Sequence, residues 1–309
     1  MFNGLTNIIE IDLSNFDTSK VKNMSSMFKN CTYLKKINFG KINTSSVVDM
    51  TNMFEYCMKL ISIDLSNFDT SKVTNMRLMF RFCEKLKSID ASSFNTSNVV
   101  DMFDLFAECR GLVAVNVSSF DTSKVTIMQG IFYCDDKIKY LDLQNFDASS
   151  LRNFKLAFQH CSSLIYLNLK NFKILNDTNV SLHETFLEVN YAKYCIEDIY
   201  TKNFLIGSKN TDCSDPCFQE NVKIGVYPEI CVESCDENKF EYNKICYNEC
   251  PDNTHFLFEN GNFCVDIVPK GYYLDNNNTC QECYNICKSC TQAGNETYNN
   301  CDECKENGE

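Results

Sequence analysis

Over residues 1–174 the apolar positions alternate between two patterns that require different periodicities. In Leu60-x-x-Ile63-x-Leu65-x-x-Phe68, the step of two between Ile63 and Leu65 sets both on one face of a short strand, with Leu60 and Phe68 at its edges. The same spacing returns at Ile8/Ile11/Leu13/Phe16, Leu34/Ile37/Phe39/Ile42, Leu86/Ile89/Ala91/Phe94, Leu112/Val115/Val117/Phe120, Ile138/Leu141/Leu143/Phe146 and Leu164/Leu167/Leu169/Phe172, so seven strands are predicted. Asp-Thr-Ser or a close variant follows each. Then come residues such as Val73, Met76, Met79, Phe80 and Cys83, at steps of 3, 3, 1 and 3, which predict one stripe of a short helix capped by Thr70 or Ser71.

A unit that recurs every 25 to 27 residues and buries little alone has to stack on copies of itself. The spacing predicts an α/β solenoid, a leucine-rich-repeat horseshoe with a concave parallel sheet and short convex helices. Phe16, Phe68, Phe94, Phe120, Phe146 and Phe172 stand where such repeats commonly bury Asn, giving an aromatic spine. Each unit carries one cysteine, at Cys31, Cys57, Cys83, Cys109, Cys134 and Cys161. These are read as small buried hydrophobes closing the helix stripe, in preference to a redox array, because Leu5 fills the equivalent place in the first unit.

Between the inward residues of each strand sits one that faces the concave side: Asp12, Asn38, Asp64, Asp90, Asn116, Asp142 and Asn168. With strands about 4.8 Å apart these make a carboxylate and amide ladder. It is either a polar or cation-assisted ligand strip or a solvated face in which amides relieve carboxylate repulsion. The adjoining positions, Glu10, Lys36, Ser62, Ser88, Ala114, Tyr140 and Tyr166, vary, and variation on a constant scaffold is where ligand choice would be written. Tyr140 and Tyr166 are the expected contact anchors.

The run Leu-Ser-Asn-Phe-Asp-Thr-Ser-Lys-Val-Thr-Asn-Met, with Met-Phe and Cys after it, resembles the BspA-like leucine-rich-repeat surface proteins of mucosal bacteria and parasitic protists, over about residues 1–174. The resemblance implies a secreted or membrane-anchored protein that adheres to host cells, matrix or other microbes through a protein or glycan partner.

Composition separates the rest. Residues 1–212 hold 23 Lys and Arg against 23 Asp and Glu, whereas 213–309 hold 6 against 18. A nucleic-acid partner is not expected without a basic footprint. All four prolines and thirteen of the twenty cysteines also lie after residue 212. Such density points to a disulfide scaffold in an oxidising compartment. Adding Cys195 to Cys213, Cys217, Cys231, Cys235, Cys246, Cys250, Cys264, Cys280, Cys283, Cys287, Cys290, Cys301 and Cys304 makes fourteen, enough for seven bridges of undetermined pairing. Zinc is the competing reading of the Cys-x2-Cys pairs. This segment resembles, more loosely, furin-like or growth-factor-receptor cysteine-rich repeats, which implies a stalk.

The expected organisation is a solenoid over 1–174, a divergent capping coil and linker over 175–212, and a cysteine-rich region over 213–309. Nine Asn-x-Ser/Thr sequons occur, of which Asn277 and Asn295 in the loop-rich tail are the expected glycan acceptors. The chain opens in what the register makes the middle of a unit, so an upstream piece carrying a secretion signal is expected, and any membrane anchor would lie outside this chain. His160, His183 and His255 fall in no metal or nucleophile motif; no catalytic residue, metal or cofactor is assigned. A cell-surface recognition protein is the expectation, with a structural coat protein or a receptor ectodomain as alternatives.

Overall fold

The computed structural model describes residues 1–175, 180–189, 192–205, 213–218 and short stretches within 223–304. The chain divides into two compact units, Met1–Phe218 and Gln219–Glu309.

The first unit is a parallel β-solenoid of about seven coils. Its strands are β1 (Glu10–Asp12), β2 (Lys36–Asn38), β3 (Ser88–Asp90), β4 (Ala114–Asn116), β5 (Tyr140–Asp142), β6 (Tyr166–Asn168) and β7 (Lys193–Cys195). β1 pairs with β2, β3 with β4, and β5 with β6 and β7, all in parallel; neighbours such as Ile11 and Ile37 sit one coil apart. The predicted strand around Ile63 forms no ladder, although Ile63 and Leu65 are buried and Asp64 exposed as the spacing requires.

The predicted helices are absent. A second parallel ladder runs where they were expected, through Asn23, Asp49, Asn75, Asp101, Ile127, Asn153 and Ser181. From each of these points the chain makes consecutive tight turns. In the third coil Met79 N–H reaches Met76 O and Cys83 N–H reaches Phe80 O, three residues back, while Leu78 N–H and Phe80 N–H leave the coil for Phe103 O and Leu105 O of the next. Left-handed residues recur at two places per coil, such as Leu78 and Phe82 with φ of 59° and 61°. An α-helix needs every φ negative and every N–H bonded within its own segment. Chained turns with lateral bonds satisfy the same backbone groups between coils and leave the 3, 3, 1, 3 apolar spacing facing inward. The described α-helix is α1 (Ile199–Leu205), at the end of the unit.

Thr70, expected as an N-cap, instead stitches coils. Its hydroxyl donates to Asn95 O at 2.9 Å and accepts Asn95 N–H at 2.8 Å. Thr18, Thr96 and Thr122 make the same pair of bonds with Asn43, Asp121 and Asp147.

Two aromatic columns fill the core. Phe68, Phe94, Phe120 and Phe146 stack at 6.1 to 6.4 Å. Phe16, assigned to this spine, is 43 % exposed because it lies in the first coil. The second column lies where the helix stripe is predicted: Phe2, Phe28, Phe54, Phe80, Phe106, Phe132, Phe158 and Phe186 stack in sequence at 5.3 to 6.0 Å. Each such pair contributes about 0.5–1.5 kcal/mol beyond area burial.

Residues 175–212, read as a divergent capping coil and linker, add a further coil to the solenoid in their described parts. Phe158 N–H bonds Thr185 O, Phe186 joins the ring column, and β7 adds to the sheet. In the second unit, β8 (Lys223–Gly225), β9 (Cys231–Val232), β10 (Phe240–Tyr242), β11 (Ile245–Tyr247), β12 (His255–Leu257) and β13 (Phe263–Val265) form one mixed sheet. Two antiparallel pairs follow, β14 (Tyr272–Leu274) with β15 (Cys280–Glu282) and β16 (Cys287–Cys290) with β17 (Cys301–Cys304).

Candidate functional site

The strand face carries the predicted polar ladder, and the structure shows what those side chains bond. Asp12, Asn38, Asp64, Asp90, Asn116, Asp142 and Asn168 each accept a backbone N–H two residues on, from Ser14, Gly40, Ser66, Ser92, Ser118, Gln144 and Lys170, at 2.8 to 3.2 Å. Such Asx turns end each strand, because the side-chain oxygen takes the donor that the next ladder bond would have used. The Ser14 backbone bond, with its hydroxyl, holds the Asp12 carboxyl below the ordinary range. Amides also bridge coils, Asn38 Nδ2 to Asp12 Oδ1 at 3.2 Å and Asn168 Nδ2 to Asp142 Oδ1 at 3.0 Å. The first five ladder residues are exposed, Asp142 is half-buried and Asn168 is buried.

Tyr140 and Tyr166 depart from expectation. They are 4 % and 2 % exposed and present no contact surface. Lys193 and residues 215–218 cover the Tyr166 end of the face: Phe218 packs edge-on to Tyr166 at 5.6 Å, the Lys193 ammonium lies 5.2 Å from the same ring, and Lys193 pairs with Asp215 at 2.7 Å. The Cys195–Cys213 disulfide closes the loop. Cys195 occupies, in β7, the register position of the Asx residues, opposite Asn168.

Asx turns recur at two further corners. Asp17, Asn43, Asp69, Asn95, Asp121 and Asp147 accept N–H from Ser19, Ser45, Ser71, Ser97, Ser123 and Ser149. Asn23, Asp49, Asn75, Asp101 and Asn153 do so at the second ladder. Down each of these columns acids and amides largely alternate, in opposite phase, so carboxylates one coil apart are mostly kept from facing each other. Lys72 beside Asp69 and Lys124 beside Asp121 add local compensation. Four sequons, at Asn23, Asn43, Asn95 and Asn116, coincide with these turns, in which Asn followed two residues on by Ser is what the backbone needs.

The thiols form a column. Cys31, Cys57, Cys83, Cys109 and Cys161 are buried and free, and each Sγ donates to a phenylalanine carbonyl one coil back at 3.0 to 3.3 Å. Burial pushes the Cys57 and Cys83 thiols upward, which keeps them protonated and unreactive. Cys134 does not belong to the column. It takes a left-handed turn position with φ of 61°, equivalent to Glu108, and its thiol is half-buried. Asp135 holds the thiol place instead, at 0 % exposure; its Oδ1 accepts Cys109 N–H at 2.9 Å, and its Oδ2 has no hydrogen-bond partner among the described residues. The irregular 25- and 27-residue steps around Cys134 were the signal for this exchange.

A charge network lies on the turn side. Glu55 pairs with Lys29 at 2.6 Å and Arg81 at 3.9 Å, and Arg81 reaches Asp104 at 3.4 Å. Burial pushes Asp104 up to about 6 against the opposing pull of Arg81. A Cβ on Gly130 would meet Asp104 Oδ1, so glycine at φ 61° makes room for that carboxylate. His160 Nδ1 lies 2.6 Å from Glu188, a surface pair. Among the described residues no cluster of His, Cys, Asp or Glu is arranged to hold a metal, and no helix is long and apolar enough to cross a membrane.

Of the predicted tail bridges, Cys235–Cys246 is formed and Cys217 and Cys264 are disulfide-bonded. Cys280 differs, standing as a free buried thiol in β15. The side chains of Cys231, Cys250, Cys283, Cys287, Cys290, Cys301 and Cys304, and the sequons at Asn277 and Asn295, lie outside the described residues.

No curated protein matches the chain. Residues 1–113 and 83–194 each match a family described as Mycoplasma protein of unknown function, DUF285. The two matches meet within the repeating coils and together span residues 1–194 of 309, so the chain belongs to the DUF285 family.

Proposed function

We propose that the protein is a secreted or surface-displayed recognition module whose solenoid offers a rigid, extended face to a macromolecular partner. One observation carries this reading. The Asx residues are committed to ending strands, while the adjoining positions on the open part of the face, such as Glu10, Lys36 and Ser62, differ in charge and size. A constant scaffold with variable outward positions is how repeat proteins carry specificity. Two bridges, Cys195–Cys213 and Cys235–Cys246, support an oxidising compartment. The BspA-like resemblance favours adhesion, and the furin-like resemblance favours a stalk role for 219–309. The module is not assigned a catalytic function.

The test is attachment of the purified chain to epithelial cells and immobilised matrix proteins. Saturable attachment that weakens when Lys36 and Ser62 are replaced by glutamate supports the reading; a chain that attaches to nothing and assembles laterally into sheets makes it a coat protein instead.

A further inference from the structure

The balanced charge of the solenoid conceals a segregated one. At the corner where each coil enters its strand, residues 32–36, 58–62, 84–88, 110–114, 136–140 and 162–166 hold eight cations, Lys35, Lys36, Lys59, Lys85, Lys87, Arg110, Lys137 and Lys139, against two carboxylates, Glu84 and Asp136. Lys59, Lys85 and Lys137 fall in one register column, and Lys35, Lys87 and Lys139 in another, two positions along. In the second column the alternate coils carry Ile61, Val113 and Ile165, so cations recur at every second coil.

Some lysines elsewhere on the solenoid are engaged by side chains. Lys29 pairs with Glu55, Lys193 pairs with Asp215, and Lys124 donates to Asn98. Lys35, Lys36, Lys59, Lys85, Lys137 and Lys139 make no ion pair among the described residues. All but the half-buried Lys139 are exposed. These six cations at one corner repel one another, a cost that an anionic partner would remove.

We propose that this corner is a docking track for a sulfated polysaccharide laid across the coils. Its length follows from the fold: four coil steps separate Lys35 from Lys139, and at about 4.8 Å per step the row spans about 19 Å, which suits an extended chain better than a compact anion. Isolated ammonium groups on flexible stems match sulfates presented at intervals, where bidentate guanidinium recognition is not required. A single-stranded nucleic acid fits less well, because such sites interleave cations with stacking rings. The exposed aromatic side chain in the row is Tyr33 at one end, placed to lie against a sugar ring; Tyr140 and Tyr166 are covered. The inference rests on the recognition reading above and gives that partner its chemistry.

The experiment uses the full chain and heparin as the probe. Binding measured by calorimetry should weaken steeply as salt rises, since exposed charges are screened within about 8 Å at physiological ionic strength. K59E/K85E/K137E should weaken binding by more than about tenfold, while K20E/K72E/K124E, with the same change in net charge at another corner, should stay within about twofold. Replacing the first set by glutamine should give an intermediate loss, and an unchanged melting temperature establishes that each variant folds. Equal losses in both charge-reversal sets, no binding of heparin at low salt, or binding undiminished by desulfation of the heparin would each overturn the track. Tighter binding of single-stranded DNA than of heparin would overturn its assignment to polysaccharide. Heparin binding without cell attachment keeps the track and removes the adhesion reading; cell attachment that K59E/K85E/K137E and soluble heparin leave intact does the reverse.

Discussion

In the solenoid, Cys31, Cys57, Cys83, Cys109 and Cys161 are buried free thiols that bond backbone carbonyls, whereas in residues 219–309 Cys235 and Cys246 are joined to each other and Cys264 is also bridged. One residue type does two jobs, and the surroundings decide which. A coil stacked between two others has a continuous apolar interior, two ring columns and a set of lateral hydrogen bonds, so the thiol need only fill space and satisfy one acceptor. Covalent closure of the short strands acts mainly by constraining the unfolded chain. The last solenoid coil lies between these regimes: it keeps the ring column through Phe186 but adds the Cys195–Cys213 bridge at the Asx position.

The comparison is broken most severely in the middle of the solenoid. Phe80→Ala removes a ring that stacks on both Phe54 and Phe106, and should cost about 3–5 kcal/mol in denaturant unfolding. The loss should be felt by coils on both sides and not by the tail. Reduction tests the other half. Opening the 18-residue Cys195–Cys213 loop should cost about 3 kcal/mol locally. Native-state thiol titration under reductant should show Cys195, Cys213, Cys235 and Cys246 becoming reactive while the five column thiols stay silent until the solenoid unfolds.

Asp135 sharpens the comparison, since it is a carboxyl in a thiol's place. Burial, and then the neighbouring Cys109 thiol, raise its protonation range well above that of a free carboxyl. A buried acid with a raised range holds its proton longer when folded than when unfolded, so its share of stability is greatest below about pH 4 and falls as pH rises toward the folded value. Asp135→Cys should remove that slope and stabilise the solenoid at neutral pH by about 1–3 kcal/mol, read from denaturant midpoints at several pH values. An unchanged slope would place the pH dependence elsewhere, at Asp104 for example.

The smallest effect concerns the alternating columns. Asn95→Asp keeps the Asx turn to Ser97 but sets a carboxylate between those of Asp69 and Asp121. A loss of about 0.5 kcal/mol that disappears in high salt is expected; a salt-independent loss would mean that the turn, and not repulsion, was damaged.

Much of this was legible in the residues. The 26-residue recurrence located every coil, and the step of two placed Ile63 and Leu65 inward with Asp64 outward. The 3, 3, 1, 3 run was ambiguous, because chained turns and a short helix both return an apolar residue to the same side every three or four positions. Leu78 and Phe82 at positive φ carry no composition signal for a left-handed bend, so the choice between the two was hidden. Thr70 was visible as a capping residue, but whether it caps a helix or stitches coils depends on a partner 25 residues away. Tyr140 and Tyr166 lay correctly on the strand face, yet Phe218, which packs on Tyr166, follows a disulfide whose pairing the spacing could not choose.

By itself the sequence determined periodicity and the identity of the inward positions. These follow from local alternation and composition, which each unit carries within its own 26 residues. Tertiary structure alone decided that backbone bonds run between coils instead of along a helix, that Thr70 bonds Asn95 of the next coil, and that Tyr140 and Tyr166 lie buried. Each of these depends on which residues one coil away become neighbours, and that is set by stacking register, to which no single unit has access.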